Sequence, residues 1–255
     1  MSKIVSASSG KRRTNSSIAH DRSFIISEKT AFSITEEYKT LRTNIMFSIP
    51  SDGCKIIGIS SAEPMEGKSI NCLNLAITFA QTNVRVLLID CDLRLPKQAG
   101  LIAMDAIPGI SNVLVGMSTI KKAIQKTCYS GLDVILSGDI PPNPSELLGS
   151  ENMKKVIDDL SQNYDYIFVD LPPINVVSDA AVMSKSLSGV VLIVRAIVSK
   201  RDSVVKAINQ LELSGTNIIG IVLNGVNNKA GLSGKYGKYG KYDKYGKYGY
   251  AQDKQ

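Results

Sequence analysis

Short apolar runs alternate with longer amphipathic segments through the middle of the chain. Six runs of mostly aliphatic residues predict strands at residues 56–59, 84–89, 132–136, 166–169, 190–194 and 218–223. They lack polar alternation, which is typical of strands buried on both faces of a sheet. Between several of them, helical patterns occur at residues 69–82, 145–160, 178–186 and 201–213. Strands that alternate with helices indicate an α/β fold, a three-layer sandwich with a mostly parallel central sheet.

The pattern divides the chain into three parts. Residues 1–30 are rich in Ser, Arg and Lys without periodicity, which predicts a mobile basic arm. Residues 31–228 contain every predicted strand, which predicts one domain that opens with a helix at 33–47 capped by Thr35. Residues 229–255 repeat Lys-Tyr-Gly with a period that fits neither helix nor strand, which predicts a flexible, low-complexity tail. The tail holds six of the ten tyrosines: Tyr236, Tyr239, Tyr242, Tyr245, Tyr248 and Tyr250.

Charge is concentrated at the two ends of the chain. Of 255 residues, 44% are hydrophobic and 21% charged, which excludes wholesale disorder. The net charge is +7, yet residues 1–30 alone contain six Lys/Arg against two acidic residues, and residues 229–255 contain seven Lys against two. The core lacks a basic face interleaved with aromatic side chains, so we expect no nucleic-acid partner. The single histidine, His20, excludes a histidine triad and a multi-histidine metal site.

A phosphate-binding loop follows the first predicted strand. Residues 61–69 read S-A-E-P-M-E-G-K-S and open a predicted helix. In such a loop the backbone N–H groups surround the phosphates, the lysine reaches the β- and γ-phosphates, and the hydroxyl binds Mg²⁺. We therefore expect the nucleotide ATP to contact residues Ala62, Glu63, Pro64, Met65, Glu66, Gly67, Lys68, Ser69 and Ile70.

Carboxylates end two further strands of the predicted sheet. Residues 86–94 read V-L-L-I-D-C-D-L-R and supply Asp90, Asp92 and Arg94, while Asp170 ends the strand at 166–169. The carboxyl ends of parallel strands meet at the edge where ligands bind. The chemistry of phosphoryl transfer then predicts Mg²⁺ ligands among Ser69, Asp90, Asp92 and Asp170. If the reaction transfers a phosphoryl group to a hydroxyl, we expect either Asp90 or Asp92 to accept its proton and the other to assist the metal or Arg94.

Two residues are secondary candidates. Asp179 begins a predicted helix, where it can orient an arginine or a metal ligand or offset the helix dipole. Asn224 follows the last predicted strand and is a candidate contact for adenine, although turn residues of this type are common.

These motifs resemble those of the bacterial protein-tyrosine kinases, cytoplasmic P-loop enzymes of capsule and exopolysaccharide synthesis that are related to MinD/ParA-type ATPases. The D-C-D-L-R segment is similar to the second Walker motif of that family, and Asp170-Leu171-Pro172-Pro173 is similar to its Walker B motif. Residues Glu36, Lys39 and Arg42 match its oligomerisation motif, with lysine in place of the first arginine. Methionine at position 65 replaces a glycine of the family.

The resemblance implies an ATP- and Mg²⁺-dependent tyrosine autokinase that phosphorylates the C-terminal cluster in trans within a ring-like homo-oligomer. It also implies a membrane-spanning activator that recruits a cytoplasmic chain to the membrane, an opposing phosphotyrosine phosphatase, and further protein substrates.

Two alternatives stay open at this point. One is a partitioning ATPase of the deviant-Walker class, but that class carries an additional lysine where this chain has Glu63. The other is a non-catalytic nucleotide-binding assembly factor of polysaccharide export. The presence of Lys68, Asp90, Asp92 and Asp170 argues against it.

Overall fold

The computed structural model describes residues 15–49 and 52–226 of the chain. The strands in these ranges are β1 (Lys55–Ser61), β2 (Val86–Asp90), β3 (Ile124–Lys126), β4 (Leu132–Ile135), β5 (Tyr166–Asp170), β6 (Gly189–Arg195) and β7 (Ile218–Asn224). The helices are α1 (Asn15–Arg22), α2 (Phe32–Ser48), α3 (Lys68–Ala80), α4 (Gln98–Ile102), α5 (Ile110–Leu114), α6 (Ile120–Ala123), α7 (Pro144–Leu148), α8 (Glu151–Ser161), α9 (Asp179–Met183) and α10 (Arg201–Leu213). All six predicted strands are present.

The strands form one sheet in the order β3-β4-β2-β5-β1-β6-β7. Each neighbouring pair is parallel except β3 and β4, which are antiparallel. The mostly parallel sheet is therefore confirmed. Asp90 lies directly opposite Asp170 in the register of β2 and β5, and Ile59 of β1 also pairs with Asp170. The carboxyl ends of these three central strands consequently converge at one edge.

Helices cover both faces of the sheet. On one face, α2 and α3 contribute Ile45, Leu73 and Phe79 to a buried cluster with residues of β1 and β2. On the other face, α8 and α10 contribute residues such as Met153 and Leu211 to a second cluster. This arrangement is the predicted three-layer sandwich.

Three local predictions about helices were wrong. Thr35 is not the N-cap of α2, because the helix begins at Phe32 and the Thr35 hydroxyl donates to the carbonyl of Ala31 at 3.4 Å. The helix predicted at 145–160 is two helices, α7 and α8, because the hydroxyl of Ser150 caps the second by accepting from the N–H of Met153 at 3.2 Å. The helix predicted at 178–186 ends early and continues as a 3₁₀ turn.

The described part of the N-terminal segment packs on the domain, which differs from the mobile arm expected over residues 1–30. Arg22 of α1 donates to the carbonyl of Gly100 at 2.7 Å, and Ile26 is buried. Residues 1–14 and 227–255 lie outside the described residues, so the predictions for the arm's beginning and for the tyrosine-rich tail stay predictions. Within the described part of the chain, every helix is too short or too polar to cross a membrane.

Candidate active site

The loop between β1 and α3 contains two residues with left-handed backbone. Gly67 has a φ of 95° and Met65 a φ of 66°. A Cβ atom on Gly67 would lie 2.2 Å from Nδ2 of Asn224, so only glycine fits at this position. The turn places Lys68 in the first position of α3. A tight loop that leads into a helix N-terminus is the arrangement that binds phosphate groups.

Glu66, a residue of this loop, stabilises it through hydrogen bonds to its carboxylate. Its side chain is buried, and one carboxylate oxygen accepts the N–H of Glu63 at 3.0 Å. The other oxygen accepts a hydrogen bond from the hydroxyl of Ser199, which follows β6. The carboxylate thereby joins the loop to a segment 133 residues away in sequence, a contact that no local pattern could predict.

Two side chains hold the outer backbone of the loop. Nη1 of Arg195 donates to the carbonyl of Met65 at 3.0 Å, and Nδ2 of Asn224 donates to the carbonyl of Glu66 at 2.9 Å. Asn224 was predicted to contact adenine, and the structure places its amide against the loop backbone. Arg195 was not identified from the sequence.

Lys68 lies at the centre of the three motifs. Its Nζ is 2.7 Å from Oδ2 of Asp92 and 3.4 Å from Oδ1 of Asp170, and all three side chains are buried. Burial alone lowers the pKa of Lys68, but attraction to Asp170 and Asp92 outweighs it and raises the pKa above its usual value. The side chain is therefore a fixed cation at the edge of the sheet.

Asp90 has a different environment from Asp92. The Asp90 side chain is fully buried, and its two oxygens accept the N–H of Asp92 at 3.2 Å and the N–H of Gln98 at 3.1 Å. Burial and the nearby charge of Asp170 raise the pKa of Asp90 well above its usual value. These contacts make Asp90 the residue that shapes the loop after β2.

Gln98 connects the motifs, and the sequence did not indicate it. Its Nε2 donates to the carbonyl of Ser69 at 3.0 Å and to Oδ2 of Asp170 at 2.9 Å. The side chain is fully buried, and its Oε1 is without a hydrogen-bond partner among the described residues. Gln98 begins α4, a five-residue helix too short to have a recognisable pattern.

Arg94 pairs with Asp179 rather than with Asp90 or Asp92. Its Nε and Nη2 donate to the two oxygens of Asp179 at 3.0 and 3.1 Å, and Nη2 also donates to the hydroxyl of Ser145 at 3.0 Å. Asp179 is fully buried. The bidentate pair therefore joins the loop after β2 to the first turn of α9 and fixes the direction of the guanidinium.

The hydroxyl and carboxylate oxygens near Lys68 are of the type that coordinates a hard cation such as Mg²⁺. Ser69 is the second residue of α3, and its hydroxyl, Asp92 and Asp170 face the Lys68 ammonium group. No three acidic, histidine or cysteine side chains of the described residues form a metal cage by themselves. Mg²⁺ typically takes one or two protein carboxylates and completes its shell with water and substrate phosphates, so the oxygens of Ser69, Asp92 and Asp170 are the ones here that could hold it.

The predicted oligomerisation residues lie on α2. Nζ of Lys39 pairs with Oε1 of Glu36 at 2.7 Å on the same helix, with both side chains about half exposed. Nη1 of Arg42 donates instead to the carbonyl of Thr78 in α3 at 2.7 Å. The tail tyrosines lie outside the described residues.

Comparisons with known proteins agree on a family. Residues 54–214 match the family model described as an AAA domain. The chain is 40% identical to the tyrosine-protein kinase CpsD of Streptococcus agalactiae, over 78% of this chain and 87% of that protein. Its structure is similar to the kinase domain of the Escherichia coli tyrosine kinase ETK, with a TM-score of 0.74 and 36% identity over 80% of each chain.

A more distant similarity concerns the fold alone. The septum site-determining protein MinD of Pyrococcus horikoshii, solved with Mg-ADP, has a TM-score of 0.57 and 22% identity, over 67% of this chain and 70% of that one. The predicted relation to P-loop ATPases of that type is confirmed at the level of architecture.

Proposed function

This chain belongs to the bacterial tyrosine-protein kinases, and we propose that it phosphorylates its own C-terminal tyrosine cluster with ATP, by transfer between subunits. The observation that carries the proposal is the convergence of Lys68 with Asp92 and Asp170 at the carboxyl edge of the sheet. A cation beside two carboxylates is what a site needs in order to hold a nucleotide and to receive the proton of an attacking hydroxyl.

Lys68 and the loop amides hold the phosphates. The transition state of phosphoryl transfer is loose, so the enzyme acts mainly by positioning and by neutralising charge. The Lys68 ammonium is held at hydrogen-bonding distance from Asp92, and the buried surroundings strengthen its attraction to an anion. We expect it to bind the β- and γ-phosphates.

Ser69 and Asp170 would hold Mg²⁺, with Asp92 nearby. When bound, the ion neutralises charge on the transferred phosphoryl group. Gln98 supports this pair, because the same Nε2 atom binds the backbone of Ser69 and the carboxylate of Asp170.

Asp92 accepts the proton of the tyrosine hydroxyl. A tyrosine with a pKa near 10 arrives protonated at neutral pH, so a carboxylate must take its proton as the new bond to phosphorus forms. Asp90 is less suited, since its side chain is fully buried and both of its oxygens accept backbone N–H groups. Asp92 accepts one backbone N–H, from Leu95 at 3.0 Å, and its other oxygen faces Lys68, the residue that binds the phosphates in this proposal. Asp92 retains 3% exposure and lies directly beside Lys68.

The acceptors are the six tyrosines of residues 229–255. This segment has a net charge of +5 from seven lysines and two aspartates, which favours approach to an acidic, ATP-bearing cleft. Each phosphotyrosine adds about −1.5 to −2 charges at pH 7, so six reverse the sign of the tail. Phosphorylated tails then repel one another and loosen the oligomer.

The biological setting follows from the family. We propose that the kinase regulates capsular or exopolysaccharide synthesis and export. A membrane-spanning activator recruits it to the inner face of the membrane, a phosphotyrosine phosphatase opposes it, and other proteins serve as additional substrates.

The two alternatives have less support. A partitioning ATPase needs a second lysine in the loop, and position 63 has a glutamate whose side chain accepts a hydrogen bond from Asn175 at 3.2 Å. A non-catalytic assembly factor has no need for Lys68, Asp92 and Asp170 to converge.

The test is to incubate the purified chain with labelled ATP and Mg²⁺ and to map phosphotyrosine, with and without the cytosolic segment of the membrane partner. Lys68→Met keeps the length of the side chain and removes its charge, so labelling should fall by about a hundredfold or more. Lys206→Met, on the exposed face of α10, is the matched control and should label normally. Undiminished phosphotyrosine in Lys68→Met, free of contaminating kinase, would show that the site is assigned wrongly.

A further inference from the structure

A chain of hydrogen bonds connects α2 to the phosphate-binding loop. The hydroxyl of Tyr38 donates to Oδ1 of Asn71 at 2.9 Å, and Nδ2 of Asn71 donates to the carbonyl of Gly67 at 2.9 Å. The backbone N–H of Asn71 donates to the same carbonyl at 3.0 Å. Asn71 is buried and lies one turn after the loop, so a single side chain links the loop to a residue of the helix that carries the predicted oligomerisation motif.

The hydroxyl of Tyr38 also joins the N-terminal segment. Nδ2 of Asn74 donates to it at 3.1 Å and to the carbonyl of Phe24 at 2.9 Å, while Oδ1 of Asn74 accepts the N–H of Ile26 at 2.9 Å. The Tyr38 oxygen therefore donates to Asn71 and accepts from Asn74. Burial raises the pKa of this hydroxyl, which keeps it a donor at neutral pH.

The carbonyl of Gly67 is an important acceptor because of the peptide plane to which it belongs. The C=O of Gly67 and the N–H of Lys68 share one planar peptide group and point in opposite directions. A bond that fixes the carbonyl consequently fixes the direction of the Lys68 N–H, which is one of the amides at the start of α3. Gly67 has a φ of 95° and no side chain to restrain that direction, so its carbonyl is held by two bonds from Asn71, one from the backbone N–H and one from Nδ2.

We propose that Tyr38 is a positioning residue for the nucleotide loop: by orienting the Asn71 side chain it reinforces the backbone bond that holds the peptide plane between Gly67 and Lys68, so nucleotide affinity depends on the docking of α2 onto α3. The inference rests on the proposed function only in taking this loop as the ATP site. It also gives the α2 helix a second role, because a contact that shifts α2 would reach the loop through the Tyr38 hydroxyl.

The test compares two tyrosine-to-phenylalanine variants of the full chain in nucleotide binding. Tyr38→Phe removes only the hydroxyl and should weaken binding of a fluorescent ADP analogue in Mg²⁺ by about three- to tenfold, the effect of one lost hydrogen bond. Tyr164→Phe is the matched control. Its hydroxyl donates to Asp133 at 2.8 Å beside a cavity of about 390 Å³ at the opposite edge of the sheet, so binding should change by less than about twofold.

A double-mutant cycle tests the route through Asn71. Asn71→Ala removes the intermediate link, so adding Tyr38→Phe to it should weaken nucleotide binding no further. Equal losses in Tyr38→Phe and Tyr164→Phe, wild-type binding by Tyr38→Phe, or additive effects in the cycle would each overturn the proposal. Because binding is the measured quantity, failure here is separate from failure of the kinase assignment, which the Lys68→Met labelling experiment decides.

Discussion

The side-chain amide of Gln98 lies 2.9 Å from the carboxylate of Asp170 and donates a hydrogen bond to it. The same amide nitrogen lies 3.0 Å from the carbonyl of Ser69, and the backbone N–H of Gln98 holds Asp90. One fully buried residue thus contacts all three sequence motifs. Residues that hydrogen-bond to the ligands of a metal ion commonly orient those ligands and are nearly as important as the ligands themselves.

Replacing Gln98 should lower the affinity of the site for Mg²⁺ when nucleotide binds. Gln98→Glu keeps the shape but removes the N–H donor that orients Asp170 and the backbone of Ser69, so we expect the apparent affinity for Mg²⁺ to fall by about ten- to a hundredfold. Gln125→Glu, in β3 and bonded to the carbonyl of Asp105, is the control. Titration of Mg²⁺ against binding of a fluorescent nucleotide measures the effect. Equal Mg²⁺ affinity in Gln98→Glu and wild type would contradict this role.

Glycine at position 65 should stabilise the chain. Met65 has a φ of 66° and 67% of its surface is exposed, so its side chain adds strain without much packing. Removing the strain of a left-handed backbone at a residue with a side chain stabilises the folded state by about 1–2 kcal/mol. The greater backbone entropy of glycine in the unfolded state offsets about 0.4–1 kcal/mol of this gain. We therefore expect Met65→Gly to raise the melting temperature by about 2 °C.

The control for this substitution is Met117→Gly. Met117 is 80% exposed but is not among the residues with positive φ, so the same change should lower the melting temperature. Thermal melts of the three proteins at one concentration give the comparison. A lower melting temperature for Met65→Gly than for wild type would mean that the methionine side chain packs favourably.

The main site residues could be predicted from sequence because each lies at or just beyond the carboxyl end of a strand. Asp90 and Asp170 end β2 and β5, Lys68 opens the helix that follows β1, and a parallel sheet brings these ends together. Gln98 and Ser199 could not be predicted, since one lies in a five-residue helix and the other contacts Glu66 across 133 positions. Their roles come from tertiary contacts, which periodicity along the chain does not encode.

The same reasoning explains the errors in secondary structure. β3 has three residues, too few to establish alternation, and it pairs antiparallel at the edge of the sheet. Thr35 has the right residue type for an N-cap, but the helix begins three residues earlier and its first turn contains Thr35. The break between α7 and α8 depends on the geometry of Ser150, whose hydroxyl reaches the N–H of Met153.

The three predicted oligomerisation residues should separate into two classes. Lys39 and Glu36 form an exposed pair, worth roughly 0–1 kcal/mol, so changing both to Ala should disperse the oligomer with little loss of stability. Arg42 bonds to the backbone of Thr78, so Arg42→Ala should also lower the free energy of unfolding, by about 1–3 kcal/mol. Sedimentation velocity and urea unfolding measure the two quantities. Wild-type protein that stays monomeric at every concentration, with nucleotide and activator present, would refute the ring.

We expect the phosphoryl group to pass from the active site of one subunit to the tail of another. The segment from residue 229 to Tyr250 spans about 70 Å if fully extended at about 3.3 Å per residue, and about 25 Å as a flexible coil. In the proposed oligomer, a tail of this length would reach the site of a neighbouring subunit. A Lys68→Met chain that keeps its tail is therefore mixed with an active chain that lacks residues 229–255. We expect phosphotyrosine on the inactive chain, because its tail enters the partner's cleft where Lys68 is intact.

The intact active chain is labelled in parallel as the control. Strong labelling of that control together with no label on the inactive chain would mean that transfer occurs within one subunit.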